Sequence, residues 1–223
     1  AAGIIVKAGV LKLNGDAGSD TITVAAMTGA TSNSSATIDG GTGVDFITLD
    51  ASATNSVDVV STATTLADCD KITGFTTTVD KFDFNGAVLN DTATTITAVS
   101  NATLAGAIAA DVDATVYIVS TAFTDAAATD MAALVAASTA SAITSTYATF
   151  EESFATVLGT VAGLDSALNT SETILLNVAD GTNSVILKVT NTDTSTANTL
   201  TAAELDLVAI MVGADDLVGG DFI

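Results

Sequence analysis

The sequence predicts a mainly β protein, a parallel β-solenoid of 25-residue coils at residues 1–90 followed by an α+β C-terminal capping domain at 91–223. Three observations carry that expectation: a repeat of fixed period, a vocabulary of Thr, Val, Ile, Asp and Gly, and a change to helical spacing past the middle of the chain. The chain has 223 residues, 48% of them hydrophobic but only 4% aromatic, which suffices for one sizeable core or two small ones.

The repeat comes first. The segments GDAGSDTIT at 15–23, GGTGVDFIT at 40–48 and TLADCDKIT at 65–73 fall into register at a spacing of 25 residues. Asp20, Asp45 and Asp70 align, as do Ile22, Ile47 and Ile72, and the same register sets Leu13 over Ile38 and Asn14-Gly15 over Asp39-Gly40. A fourth copy is only hinted at by TTIT at 94–97. A fixed period in β-prone sequence implies units that stack their apolar positions on their neighbours, about 4.8 Å apart. Aligned aspartates then form a row of carboxylates that repels itself unless a cation lies between the rungs. Short carboxylates and turn carbonyls on glycine-rich corners are what a hard, oxygen-seeking ion such as calcium selects.

Charge agrees with that reading. Asp and Glu total 26 against five Lys and no Arg, a formal net charge of -21, so nucleic acid and anionic membrane surfaces are repelled. The single cysteine, Cys69, excludes an intrachain disulfide and a thiolate zinc cluster, and the absence of histidine removes His-based triads and imidazole metal centres. The adjacent acid pairs Glu151-Glu152 and Asp215-Asp216 diverge on a strand or face solvent on a helix, so they do not form a glycosidase dyad. No enzyme is expected. No apolar run of 18 residues occurs, and the start AAGIIVKAGV lacks the charged n-region and long h-region of a secretory signal. No membrane insertion is expected, and the chain reads as the terminal fragment of something longer.

In the second half, Met131, Leu134 and Val135 share one face of a predicted helix at 125–137. Phe150, Phe154, Val157, Leu158 and Val161 define a second, with Thr149 and Glu152 as a capping box at its start. Strands are predicted at 116–119, 173–178 and 185–189, the last two joined by a hairpin turn around Asp180-Gly181. The run 191–208 reads as a degenerate EF-hand loop in which Asn191, Asp193 and Ser195 alternate as ligands and Glu204 closes the site, although Glu204 lies two residues beyond the usual closing position and the turn glycine is missing. The competing reading puts Glu204 in solvent at the start of a strand or helix.

These motifs resemble the RTX family. Gly40, Gly41, Gly43, Asp45 and Ile47 match the nonapeptide G-G-x-G-x-D-x-U-x, and Gly15, Gly18, Asp20 and Ile22 match it with Asp16 in place of a glycine. The stretch 70–86 is similar to the D-x-I-x-x-F…D-K-x-D-F/L segment that closes such arrays, and Asp221-Phe222-Ile223 resembles one form of the uncleaved C-terminal type I secretion signal. The resemblance implies a β-roll or β-helix-like parallel fold and calcium held by Asp20 and Asp45 with carbonyls from Gly15 and Gly40. Asp16, Asp39, Asp68 and Asp70 at the same corners, and Asn191, Asp193 and Glu204 in the later loop, complete the candidate ligands. Family repeats follow one another without gaps, whereas these are 25 residues apart, so the metal geometry cannot be copied. Also implied is a chain that stays unfolded in a low-calcium cytosol, is exported, and folds outside. The expected function is a calcium-dependent structural protein of the bacterial cell surface, a self-assembling S-layer-type subunit that forms a homo-oligomer or lattice and is anchored on a cell-surface polysaccharide. An adhesin or biofilm protein, and the non-catalytic tail of a secreted RTX hydrolase, are the alternatives.

Overall fold

The computed structural model describes residues 10–24, 35–50, 56–61, 65–84, 95–99, 115–119, 126–157, 173–192 and 201–223. They form two β-sheets and two helices. One sheet is wholly parallel, with strands β1 (Val10–Asn14), β3 (Ser35–Asp39), β5 (Ser56–Val60) and β7 (Lys81–Asp83) side by side in that order. The other has eight strands. It begins with β2 (Thr21–Thr23), β4 (Phe46–Thr48) and β6 (Asp70–Thr73), and continues through β12 (Leu205–Val212), β11 (Ser184–Thr190), β10 (Thr173–Ala179), β9 (Thr115–Val119) and β8 (Thr95–Val99).

The period seen in the sequence is the pairing register of the first strands. Ile22 lies opposite Ile47 and Ile47 opposite Ile72, while Leu13 pairs with Ile38 and Asn14 with Asp39. Farther along, the register loosens: Ser35 pairs with Ser56 and Asp58 with Lys81, steps of 21 and 23 residues.

The expected parallel β-solenoid with an α+β cap is corrected by the second sheet. β6 does not stack against a further repeat; its other edge pairs with β12, which continues through the antiparallel partners β11 and β10. The result is a mixed α/β fold with one parallel and one mixed sheet. The physical reason lies at the edge of β6, whose unpaired N–H and C=O groups require a neighbour. β12, LDLVAIMV, supplies that neighbour and is apolar enough to be covered on both faces. Of the hinted fourth copy, residues 95–97 lie in β8, at the far edge of the eight-stranded sheet, where they pair with β9, and Thr94 lies outside the described residues.

Helices α1 (Ala126–Ala136) and α2 (Ala140–Val157) are rich in alanine, the strongest helix former. The second starts nine residues before the expected capping box at Thr149. Its first turn is capped instead by Thr139, whose Oγ1 accepts the Ala142 N–H at 3.2 Å. Met131, Leu134, Ile143, Tyr147, Phe150 and Phe154 pack on one face of the eight-stranded sheet against Tyr117, Leu176, Leu187 and Leu207. On its other face, Ile47, Ile72, Ile186 and Met211 pack with Ala36, Ile38, Val59 and Phe82 of the parallel sheet. Lys71, on β6, sends its ammonium to the Val135 and Ala137 carbonyls, so a cation closes the C-terminal end of α1. The hairpin at Asp180 is as expected: its Oδ1 accepts the N–H groups of Thr182 and Asn183, and Gly181 supplies a φ of +91°. Among the described residues no helix is long and apolar enough to cross a membrane.

Candidate functional site

Between β1 and β2, and again between β3 and β4, the chain turns a corner of six residues, GDAGSD and GGTGVD. Positive φ is needed twice at each corner. Gly41 and Gly43 supply it at +91° and +113°, and Asp16 and Gly18 at +67° and +118°. Asp tolerates the left-handed region better than most residues, which is why Asp16 can stand where the second copy has glycine. The third corner has Leu66 and Asp68 at these places and folds as a 3-10 turn at Leu66–Asp68 instead. Asn14 and Asp39 hold the first two corners from outside, their Oδ1 atoms accepting the N–H groups of Asp16 at 2.9 Å and Gly41 at 3.0 Å.

The corner aspartates stack as the repeat predicts. Asp45 Oδ1 accepts the Asp20 N–H at 2.7 Å, and Asp70 Oδ1 accepts the Asp45 N–H at 3.2 Å, so each carboxylate reaches back to the amide of the aspartate one repeat earlier. Asp68 does the same two residues earlier in the corner, its Oδ1 accepting the Gly43 N–H at 3.0 Å. Asp20 is half-buried, whereas Asp45 and Asp70 are 0% and 2% exposed.

Their second oxygens define the site. Asp45 Oδ2 is buried and has no hydrogen-bond partner. It lies against Gly40, where a Cβ would come within 2.3 Å of it. The equivalent point at Gly15 faces Gly40 O at 2.3 Å and Asp20 Oδ2 at 3.1 Å. The glycines thus leave space into which carboxylate and carbonyl oxygens converge. Burial pushes the Asp45 carboxyl above its usual range; the Asp20 amide offsets part of this, and the charges of Asp20 and Asp39 add to it. Burial also pushes Asp70 well above its ordinary value, and the charge of Asp45 adds to that. Two stacked buried carboxyls in this position take up a proton or a cation.

No group of three or more His, Cys, Asp or Glu side chains among the described residues is arranged to hold a metal ion. The oxygens beside Gly15 and Gly40 are those of carboxylates and a backbone carbonyl, an all-oxygen set of the kind that hard cations rather than zinc select.

The later candidates lie elsewhere. Asp193 falls outside the described residues. Asn191 is buried. Glu204 is 5% exposed, not in solvent, and its oxygens close the loop ends: Oε1 accepts Thr192 N–H and Oγ1–H at 2.8 and 3.0 Å, and Oε2 accepts Thr201 N–H and Oγ1–H at 2.9 and 3.1 Å. Burial raises its pKa, but these four donors outweigh burial and hold it below the usual carboxylate range. A carboxylate that already accepts four hydrogen bonds has little left for a metal.

Sequence reasoning missed the role of Asp221. It is 0% exposed; its Oδ1 accepts the Thr78 N–H at 2.6 Å and its Oδ2 the Val218 N–H at 2.8 Å. The available signal was local, an acid three residues after the start of a short turn. Comparison of the chain with protein-family models, curated proteins and solved structures finds no match.

Proposed function

We propose that this chain is a calcium-dependent structural protein of the bacterial cell surface, a self-assembling S-layer-type subunit exported by type I secretion. One observation carries the calcium reading: Asp45, wholly buried between repeats, keeps an oxygen without a partner beside the equally buried Asp70. A buried carboxylate left in this way is unfavourable by several kcal/mol, on the order of the desolvation of one ion, unless it is neutralised. Calcium would supply that neutralising charge, with Asp45, Asp70 and the Gly40 carbonyl as the residues to hold it. The same groups explain how folding could follow export. A chain of net charge -21 with unneutralised aspartate rows resists compaction, and an ion that binds only the folded state pulls the equilibrium toward it.

The cell-surface and export parts of the proposal rest on the resemblance of the glycine-aspartate turns to RTX repeats. The experiment is to purify the chain in chelator and titrate calcium while following circular dichroism and particle size by light scattering. Gain of β-structure together with growth of sheets or filaments is the expected result. Unchanged structure across the titration removes the calcium reading, and calcium-induced folding to a monomer at every concentration removes the assembly reading.

A further inference from the structure

The first two corners carry the same hydrogen bond on side chains of different charge. Asn14 Oδ1 accepts the Asp16 N–H at 2.9 Å, and Asp39 Oδ1 accepts the Gly41 N–H at 3.0 Å. Asn14 and Asp39 are also direct partners across β1 and β3. The bond needs an oxygen acceptor two residues before the amide, and the uncharged oxygen of asparagine provides it as a carboxylate does. The turn therefore does not call for the charge of Asp39. That charge is unfavourable where it stands. Asp39 is half-buried and has no ion pair among the described residues. The next residue is Gly40, where a Cβ would meet the buried, unpartnered Oδ2 of Asp45. Burial is the main cause that raises the carboxyls of Asp45 and Asp70, and the charge of Asp39 is among the groups that raise both further. A third negative charge beside two stacked carboxyls weakens the metal-free fold. It also strengthens the hold on a divalent cation, which it attracts with twice the energy with which it repels one carboxylate at the same distance.

We propose that the residue before each corner sets how tightly that corner holds a divalent cation. Asn14 and Asp39 build the turn alike, and Asp39 adds, from outside the set of donor oxygens, a charge that favours the ion at the second corner. This deepens the calcium reading and rests on it. Asp39→Asn separates the two roles, since the first corner already uses asparagine for the same bond. Calcium chloride is titrated calorimetrically into the intact chain, wild type and Asp39→Asn, in potassium chloride at about 0.01 M and about 1 M, where the Debye length is about 30 Å and about 3 Å. The wild type is expected to take up calcium, and Asp39→Asn to bind it roughly tenfold more weakly at low salt, the difference shrinking to about twofold or less at high salt. In chelator at low salt the urea midpoint of Asp39→Asn is expected to lie above that of the wild type. Asp39→Ala, which also takes the acceptor from the Gly41 amide, is expected to lie below Asp39→Asn. Asn14→Asp is the reverse test, and it decides if Asp39→Asn does not fold: it should lower the metal-free midpoint and tighten calcium binding at low salt, and no change in either overturns the proposal. Loss of all binding in Asp39→Asn at both salts, or a difference that salt leaves untouched, overturns it by making Asp39 a direct ligand. A metal-free midpoint that Asp39→Asn lowers overturns it as well. A wild-type chain that takes up no calcium removes the calcium reading, and the proposal falls with it; uptake by the wild type that Asp39→Asn leaves unaltered removes only the role given to Asp39.

Discussion

Replacing Asp45 by asparagine separates the charge of the stacked carboxylates from their hydrogen bonds. The amide side chain would keep an oxygen for the Asp20 N–H, the 2.7 Å bond that ties the first two repeats together, and would remove the negative charge held beside Asp70. Unit charges one strand spacing apart, about 4.8 Å, repel by about 3 kcal/mol at an effective dielectric of about 20. Proton uptake by one of the pair lowers this, so Asp45→Asn is expected to stabilise the metal-free protein at neutral pH by about 1 to 2 kcal/mol. In calcium the sign reverses. The variant loses a ligand, and with it the stabilisation from ion binding, about 3 kcal/mol for an ion at a hundred times its dissociation constant. Urea unfolding in chelator and in millimolar calcium measures both values. Asp45→Ala serves as the control: it removes the same charge and ligand and also strips the Asp20 amide of its acceptor, so it should lie about 1 to 3 kcal/mol below Asp45→Asn in either condition. If Asp45→Asn lowers stability equally with and without calcium, the carboxylate acts only as a hydrogen-bond acceptor, and neither the buried repulsion nor the cation is real.

In chelator, thermal stability should peak below neutrality. Asp45 and Asp70 have raised values in the fold, so their contribution is present below the ordinary carboxylate range and is lost as pH rises through the raised values. Glu204 has a lowered value, so its contribution is present above the ordinary range and is lost as pH falls through the lowered one. Calcium should flatten the neutral side of the melting-temperature profile, and a profile in chelator that rises steadily toward neutral pH would contradict this. Glu204→Ala leaves the Thr192 and Thr201 amides without their acceptor and is expected to cost about 3 kcal/mol in urea unfolding, with Glu204→Gln recovering part of it. Gly41→Ala puts a Cβ 2.0 Å from the Asp16 carbonyl at a φ of +91° and should cost roughly 2 kcal/mol or more by the same assay. Gly181→Ala, at the same φ but with open space around it, should cost only about 1 kcal/mol.

The parts of the fold that were legible in the sequence are those set by local chemistry repeated at a fixed interval. Ile22, Ile47 and Ile72 can be aligned on paper because each stands two residues after a corner aspartate at the same spacing, and stacking corners of equal length enforces one register. Helix α1 and the Asp180 hairpin are legible for a similar reason, since periodicity and turn chemistry act over a few residues. The pairing of β6 with β12 was not, because Asp70 and Ala209 are partners across most of the chain and no local pattern names the strand that closes an edge. The fold class therefore changed at the third repeat, the point where the strand next to it stopped being a copy.

The candidate site divides along the same line. That Asp20, Asp45 and Asp70 share a corner follows from the period alone, but the Oδ1 atoms of Asp45 and Asp70 reach back to amides of the preceding repeat, a contact invisible in a one-dimensional register. That contact alters what calcium would have to do. With one oxygen of each buried carboxylate already committed to the backbone, the repeats are joined by hydrogen bonds with or without a metal, and the ion is needed for the remaining charge rather than for the link. A corner built this way should not be an all-or-none metal cluster. Its metal-free form should keep the strand register of β2, β4 and β6 when the carboxyls are protonated, so mild acid should substitute for calcium in ordering this part of the chain. Amide exchange at Asp20 and Asp45 would report it, with protection expected in acid chelator as in neutral calcium. Loss of protection at both amides in acid would show that the proton cannot stand in for the ion.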